Sequence, residues 1–469
     1  MFRLFLLIVF QQKSGKRQSY KTVRHDRDYK AAHFVNNKLY FAQKTNCLDY
    51  LLFVGYLIAF AWLVTKLNFY KNSQLNNSQL IIIFLLKVMA GIFYGWVGVY
   101  YGNMAKMVDT WSYHYLSLQE FELLRENPKE YLTNLFYYPY EGGYLKFFGT
   151  DNSYWNDLKV NFFIKILSLF NLLSFGNYYI NVIFYSFLTM LGPIAMYRVM
   201  IDVYPGKKLQ VILATFLVPS FLYWTSGLHK EGFLFVGLAM ITYCFYFGLK
   251  ENRWPVKRIL VIIFSLVLVM ALRNFLVVLL VPALFAWILA SKWPRRGLAV
   301  FSICYLVYGI LFFTTRYINE KLDFPAAVVT KQGEFIRHTG GSEVKVRILE
   351  PTVSSFIINA PQAFSLSVLR PYPSDVRHIL SLAAAVEIFL LLFLFVLFLV
   401  TNMNGATSKN YLYFCLFFAF SLLFTIGYTV NFVGAIVRYR SLAFPFLIIP
   451  MICQINWEKL KVFTTYKNK

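Results

Sequence analysis

Long apolar runs separated by short polar connectors make up most of the chain. Runs of about 18 or more apolar residues have the length a hydrocarbon core requires. They predict spans at 48–66, 79–101, 178–197, 209–226, 231–249, 256–272, 274–291, 297–315, 379–401, 410–430 and 433–454. The fold class read from this pattern is an all-α polytopic membrane protein with about eleven transmembrane helices. A β-barrel would instead alternate in short segments. Residues 160–175 fit two readings, a crossing helix or an amphipathic helix lying in the interface. The apolar stretch 353–369 is interrupted by Pro361 and predicts one or two short helices dipping into the protein.

Composition agrees: 58% of residues are hydrophobic, 20% aromatic and only 14% charged. The net charge of +24 could suggest nucleic acid in a soluble protein. Here the basic residues sit between apolar runs, where the positive-inside rule puts them, so the implied partner is the lipid bilayer and not nucleic acid. Residues 1–46 read as a basic, non-spanning leader on an anionic membrane surface. Residues 47–457 form a single transmembrane domain, with loops 102–177 and 316–378 on the extracytoplasmic side. Residues 458–469 form a basic cytoplasmic tail. Counting back from that tail puts Lys292, Arg295, Lys250, Arg258, Lys207 and Lys208 on the cytoplasmic side. Two spans ahead of Asp109 then place both Asp109 and the basic leader outside, against the charge rule for the leader. The five cysteines lie in or beside apolar runs, and no pair has metal-ligand spacing.

Four clusters fall at predicted outward edges. Asp109 leads Trp111, Tyr113, His114 and Tyr115. Trp224 precedes His229, Lys230 and Glu231. Arg273 interrupts an apolar run of more than thirty residues. Arg370 and Tyr372 form the fourth cluster together with Arg438 and Arg440. An ionisable group at membrane depth costs roughly 2.5–3.5 kcal/mol on insertion scales unless paired or wetted. A single arginine could snorkel to the headgroups; four clusters on one side point to a shared site. Arginine forks and a lysine suit a phosphate. Asp109 can act as a general base toward a hydroxyl, and Glu231 is a second carboxylate. Trp111, Tyr113, Tyr115, Tyr137, Tyr138, Tyr140, Tyr223 and Trp224 offer faces on which sugar rings stack, although Tyr and Trp are also ordinary interface residues.

Four motifs, in this order, resemble the GT-C superfamily of polytopic glycosyltransferases, in particular an uncharacterised bacterial, Bacteroidetes-type branch. They are Asp109-x-x-x-Tyr113, Trp224-Thr225-Ser226-x-x-x-Lys230-Glu231, Arg370-Pro371-Tyr372-Pro373 and Arg438-Tyr439-Arg440. The resemblance implies inverting transfer of a sugar from a polyprenyl-phosphate-type donor to a glycan, lipid or protein acceptor. It implies a multi-pass protein of the bacterial cytoplasmic membrane acting at its outer face in cell-surface glycan synthesis. Asp109 matches the position of the family's acidic residue, which acts as base or orients the acceptor, and Glu231 is a second candidate catalytic carboxylate. The candidate substrate-binding residues are Tyr113, His114, Trp224, His229, Lys230, Arg273, Arg370, Tyr372, Arg438 and Arg440. Asp109 stands alone, without the Asp-x-Asp or Glu-Asp pair of the family, so no cofactor is implied firmly and a divalent metal stays open.

Two other readings compete. An O-antigen-type polysaccharide polymerase or ligase would rest on the late loop with Arg337, Arg347, Arg370 and Arg377. A non-enzymatic transporter of lipid-linked glycan would show repeats and charges near the midplane, where Lys87 is the one strong candidate. Gly-rich phosphate loops, His-x-x-x-His pairs and Gly-x-Ser-x-Gly elbows do not occur.

Overall fold

A computed structural model of the chain describes residues 47–101, 109–136, 154–403 and 405–459. Residues 1–46, the tail from 460 on, and Tyr137, Tyr138 and Tyr140 lie outside the described residues. The described chain is all-α; its one β feature is an isolated bridge between Glu343 and Phe432. We label the main helices α1 (Cys47–Leu63), α2 (Asn77–Tyr100), α3 (Asp109–Glu126), α4 (Tyr154–Ser174), α5 (Tyr178–Val203), α6 (Lys208–Phe216), α7 (Pro219–Ser226) and α8 (Lys230–Glu251). There follow α9 (Val256–Lys292), α10 (Gly297–Ile318), α11 (Phe324–Arg337), α12 (Val353–Phe364), α13 (Ile379–Thr401), α14 (Lys409–Thr429), α15 (Val433–Arg440) and α16 (Phe444–Gln454).

Among the described residues, seven helices are long and apolar enough to cross a membrane, or nine if each of two bent pairs is one span. This count differs from the expected eleven in three places. The expected span 48–66 is the 17-residue α1, a turn short. The spans at 209–226 and 433–454 are broken, with bends of 52° between α6 and α7 and 65° between α15 and α16. Those at 256–272 and 274–291 belong to the single 37-residue α9, in which Arg273 alone leaves helical geometry.

That one residue reverses the chain. Arg273 meets Glu231 at the start of α8. A straight continuation would carry Trp287 to ~40 Å from Tyr246, near the far end of α8. Their ring centroids are instead 6.5 Å apart. The two legs of α9 therefore run side by side, up and back.

The helix ends sort into two levels. One end gathers Lys208 on the Gln74 carbonyl (2.6 Å), Lys250 on Asp202 (2.6 Å) and Arg258 on Glu251 (2.9 Å). The loops with Lys292, Arg295 and Arg296 lie there too, since Asn410 beside them donates to the Ala290 carbonyl at 2.9 Å. The other end gathers the start of α3, the start of α5 and the Arg273 turn. Helix α4 stays at this second end. Phe163 packs on Tyr113 and on Phe233 in the first turn of α8, and Asn171 reaches both Ser117 and Asn181. It lies against α3, and its apolar part, Val160–Ser174, is too short to count among the candidate spans. The region expected as a loop, 102–177, thus carries two long helices among its described residues.

Helix α3 is polar, and polar contacts fix it. Thr110 shares a hydrogen bond with Tyr178 (2.7 Å), Ser117 accepts from Asn171 (3.0 Å) and Glu120 pairs with Lys165 (2.7 Å). In the late segment 316–378, the stretch 353–369 folds into short helical pieces as expected, and α11 is a further helix, not among the expected ones. Thr352 caps α12, which continues past Pro361 into a π turn over Ser365–Leu369.

Helix α7 is eight residues long and starts at Pro219, a ring preset for a first helical turn. Buried charges meet both of its ends. Glu387 of α13 accepts the Ser220 N–H at 2.8 Å, and Lys87 of α2 donates to the Thr225 carbonyl at 2.7 Å. An anion at the N-terminus and a cation at the C-terminus match the helix dipole, which carries about half a charge at each end. Close approach matters at Gly232, where a Cβ would come within 2.2 Å of Tyr185 Oη and 2.8 Å of the Thr225 carbonyl oxygen.

Candidate functional site

The clamped half-helix α7 leads through Gly227 and Leu228 into His229, Lys230 and Glu231 at the start of α8. Asp109 opens α3, Arg273 sits at the reversal of α9, and Arg438 lies in the last turn of α15. Four elements distant in sequence, α3, α8, α9 and α15, thus bring their charges to one place.

Glu231 is completely buried. Its Oε1 accepts from Arg273 Nη2 at 2.8 Å and lies 3.6 Å from Arg438 Nε, and its Oε2 bonds His229 Nδ1. Arg438 Nη1 donates to Asp109 Oδ2 at 2.6 Å and lies 3.2 Å from His229 Nε2. A neutral imidazole satisfies both contacts, with Nδ1–H donating to Glu231 and Nε2 accepting from Arg438. Burial lowers the His229 pKa to about 3, and the Arg438 and Lys230 charges act the same way against the opposing pull of Asp109. Asp109 is the one carboxylate of the cluster with solvent access, its side chain 51% exposed. Packing alone would raise its pKa, but the charge and the hydrogen bond of Arg438 hold it well below the usual carboxylate range.

Aromatic rings form the walls. Arg273 lies over Tyr439 (4.2 Å), Arg438 over Tyr439 (4.9 Å) and Trp224 (5.8 Å), and Lys230 over Tyr113 (5.1 Å). Tyr94 stacks edge-on to Trp224 and His229. Counting His229 as neutral, three cations face two carboxylates. Among the described residues no group of three or more His, Cys, Asp or Glu side chains is arranged to hold a metal ion.

Asp109, Tyr113, Trp224, His229, Lys230, Glu231, Arg273 and Arg438 therefore come together. The remaining four do not join them. His114 faces Asn181 and Tyr178 behind α3, where burial lowers its pKa to about 4. Arg370 pairs with Asp375 at 2.8 Å, and Tyr372 shares a hydrogen bond with Ser365. Arg440 points away from Arg438, onto the carbonyls of Ser367 and Arg370. An α-helix turns about 100° per residue, so residues two apart face opposite sides, and a motif spaced that way serves two places.

This chain is a multi-span helical membrane protein. No family model, curated protein or solved structure matches it. Sequence reasoning missed three participants. Tyr94 hides as one aromatic in an apolar span, and Tyr439 stood between arginines that drew the attention. Glu387 is a lone acid in the run 379–401 whose partner, a backbone N–H, leaves no mark in sequence.

Proposed function

We propose that this chain is a GT-C-like glycosyltransferase that moves a sugar from a polyprenyl-phosphate-type donor to an acceptor at the outer face of the cytoplasmic membrane, in cell-surface glycan synthesis. The observation that carries the reading is the contact between Asp109 and Arg438 beside the Glu231–Arg273 pair, at the end opposite the lysine- and arginine-rich connectors. The positive-inside rule assigns those connectors to the cytoplasm and so turns the cluster outward.

In this reading the donor phosphate binds to Arg438, with Lys230 and Arg273 nearby, through charge-assisted hydrogen bonds. Asp109 paired with Arg438 is a weak base. A phosphate that draws Arg438 to itself releases Asp109 to accept a proton from the acceptor hydroxyl. The hydroxyl oxygen attacks the anomeric carbon, the carbon–phosphate oxygen bond breaks, and the lipid phosphate leaves toward the arginines. Trp224, Tyr113 and Tyr94 face the sugar. Glu231 stays paired and buried, holding His229 and Arg273 in place.

The test is Asp109→Asn in cells whose surface glycan depends on the chain. The expected outcome is loss of the glycan product, accumulation of the lipid-linked donor and unchanged protein level. Unchanged glycan in that variant would end the proposal. The transporter reading draws on the two broken spans and the buried Lys87 and Glu387, features common in carriers. Purified chain in vesicles separates the two: transfer yields a glycosylated acceptor, whereas a carrier yields only relocated donor.

A further inference from the structure

One face of α2 touches both sides of the cluster. Gly91, Tyr94 and Gly95 follow Lys87 by four, seven and eight residues, a spacing that puts all of them on one stripe of a helix. Lys87 is buried, and its ammonium meets the end of α7. Nζ donates to the Thr225 carbonyl at 2.7 Å and lies 3.5 Å from both Thr225 Oγ1 and Ser226 Oγ. One turn further on, a Cβ at Gly91 would come within 2.5 Å of the Ser226 carbonyl oxygen. Tyr94 lies against Gly227, whose own Cβ would meet the ring at 2.3 Å, and stands edge-on to His229 at 6.4 Å. Gly95 serves the other side. Its carbonyl accepts from Trp111 Nε1 at 2.9 Å, two residues after Asp109.

The contacts continue to the charged groups. The Thr225 carbonyl oxygen held by Lys87 lies 2.8 Å from where a Cβ of Gly232 would stand, next to Glu231. Tyr185 of α5 closes the same corner, donating to the His229 carbonyl and accepting from the Gly232 N–H at 3.1 Å. A charge at membrane depth is costly and marks functional positions. Among the described residues, Lys87 meets main-chain and hydroxyl oxygens and no carboxylate. Three donors on a long stem suit those three oxygens, and the positive charge suits the negative end of α7.

We propose that Lys87 is a positioning residue. It holds the end of α7 on the same face of α2 that receives Trp111, and so sets the separation between Asp109 and the His229–Glu231 corner. Arg438 fills that separation, 2.6 Å from Asp109 and 3.2 Å from His229, so the gap must match one guanidinium. Lys87 acts through the main chain, by way of Thr225 and Gly232. The role is the same whichever reaction the cluster performs.

The test reads the cluster as well as the fold, on the full chain in lipid nanodiscs. Nitrogen NMR resonances of the His229 imidazole, assigned by difference from His229→Asn, show which ring nitrogen carries the proton. The parent should show the single tautomer with Nδ1–H directed at Glu231. Lys87→Met should lose that single signal, and its density map should show Arg438 parted from Asp109 or from His229. Phe414→Leu is the control. It loosens the aromatic stack with Trp287 and Tyr411 at the basic end, lowers the thermal midpoint and should leave the tautomer alone. A cluster unaltered in Lys87→Met, or altered equally in Phe414→Leu, overturns the positioning role. Should Lys87→Met fail to fold, Gly91→Ala decides. It keeps the ammonium but pushes Ser226 away from α2, and an unaltered tautomer there overturns the proposal. Trp111→Phe tests the other side: it removes the donor to Gly95 and should part Arg438 from Asp109 while the His229–Glu231 bond stays. An unmoved Asp109 in that variant overturns the part assigned to α2.

Discussion

Ion pairs close both ends of the bundle, and they differ in what surrounds them. At the basic end Lys250 meets Asp202 at 2.6 Å, with the lysine half exposed. At the opposite end Arg273 meets Glu231 at 2.8 Å, with the carboxylate fully enclosed. The distances are alike, but water weakens the first pair and not the second. Exposed pairs contribute about 0–1 kcal/mol, whereas removing one partner of a buried pair costs about 3–5 kcal/mol. The basic connectors therefore speak of orientation, and the enclosed cluster speaks of function.

The comparison can be broken most directly at Glu231. Glu231→Ala strands Arg273 and frees His229, and we expect a loss of about 3–5 kcal/mol, read as a collapsed monodisperse peak and a lowered thermal midpoint. A variant as stable as the parent would mean that the cluster is as wet as the other end. Next is Gly232→Ala, whose methyl group would overlap Tyr185 Oη and the Thr225 carbonyl. It should lower stability by about 1–3 kcal/mol by denaturation in detergent, because the backbone contact cannot yield.

Acid should separate the two ends more gradually. The folded chain holds His229 at about 3, while the unfolded chain titrates it near 6.5. The stability it contributes is full above about pH 6.5 and falls as pH drops toward 3, at about 1.4 kcal/mol per unit. Asp109, held below the carboxylate range, adds a further loss below about pH 4. His229→Asn should flatten the thermal-midpoint profile between pH 6.5 and 5, and a parent chain with no slope there would contradict the assignment. Asp202→Asn is the smallest change, at most about 1 kcal/mol by the same thermal assay, and it should shrink further in high salt.

Much of the cluster was legible in the sequence, because a charge inside an apolar run is costly and so must be matched. Arg273 is the clearest instance. A single arginine midway through a 37-residue helix announced a reversal, and the chain does turn there. Lys230-Glu231 and Arg438 announced themselves the same way. Arg370 misled, since its partner Asp375 is five residues away and satisfies it locally. The breaks at α6–α7 and α15–α16 were illegible for another reason. Pro219 and Pro445 mark both places, but a proline in an apolar run fits a kinked continuous span equally well, and a bend of 52° or 65° needs only a few changed backbone angles. The clamps on α7 were out of reach too, since each joins a side chain to a main-chain group about 140 to 170 residues away.

The reversal at Arg273 also bears on how the protein is made. In the outward orientation proposed above, a hairpin with a guanidinium at its tip must carry that charge across the lipid during synthesis. The carboxylate that will receive it, Glu231, emerges from the ribosome 42 residues earlier and can already be waiting on the far side. Arg438 arrives only when nearly the whole polypeptide has been translated, so the assembly stays unfinished until its final helices insert.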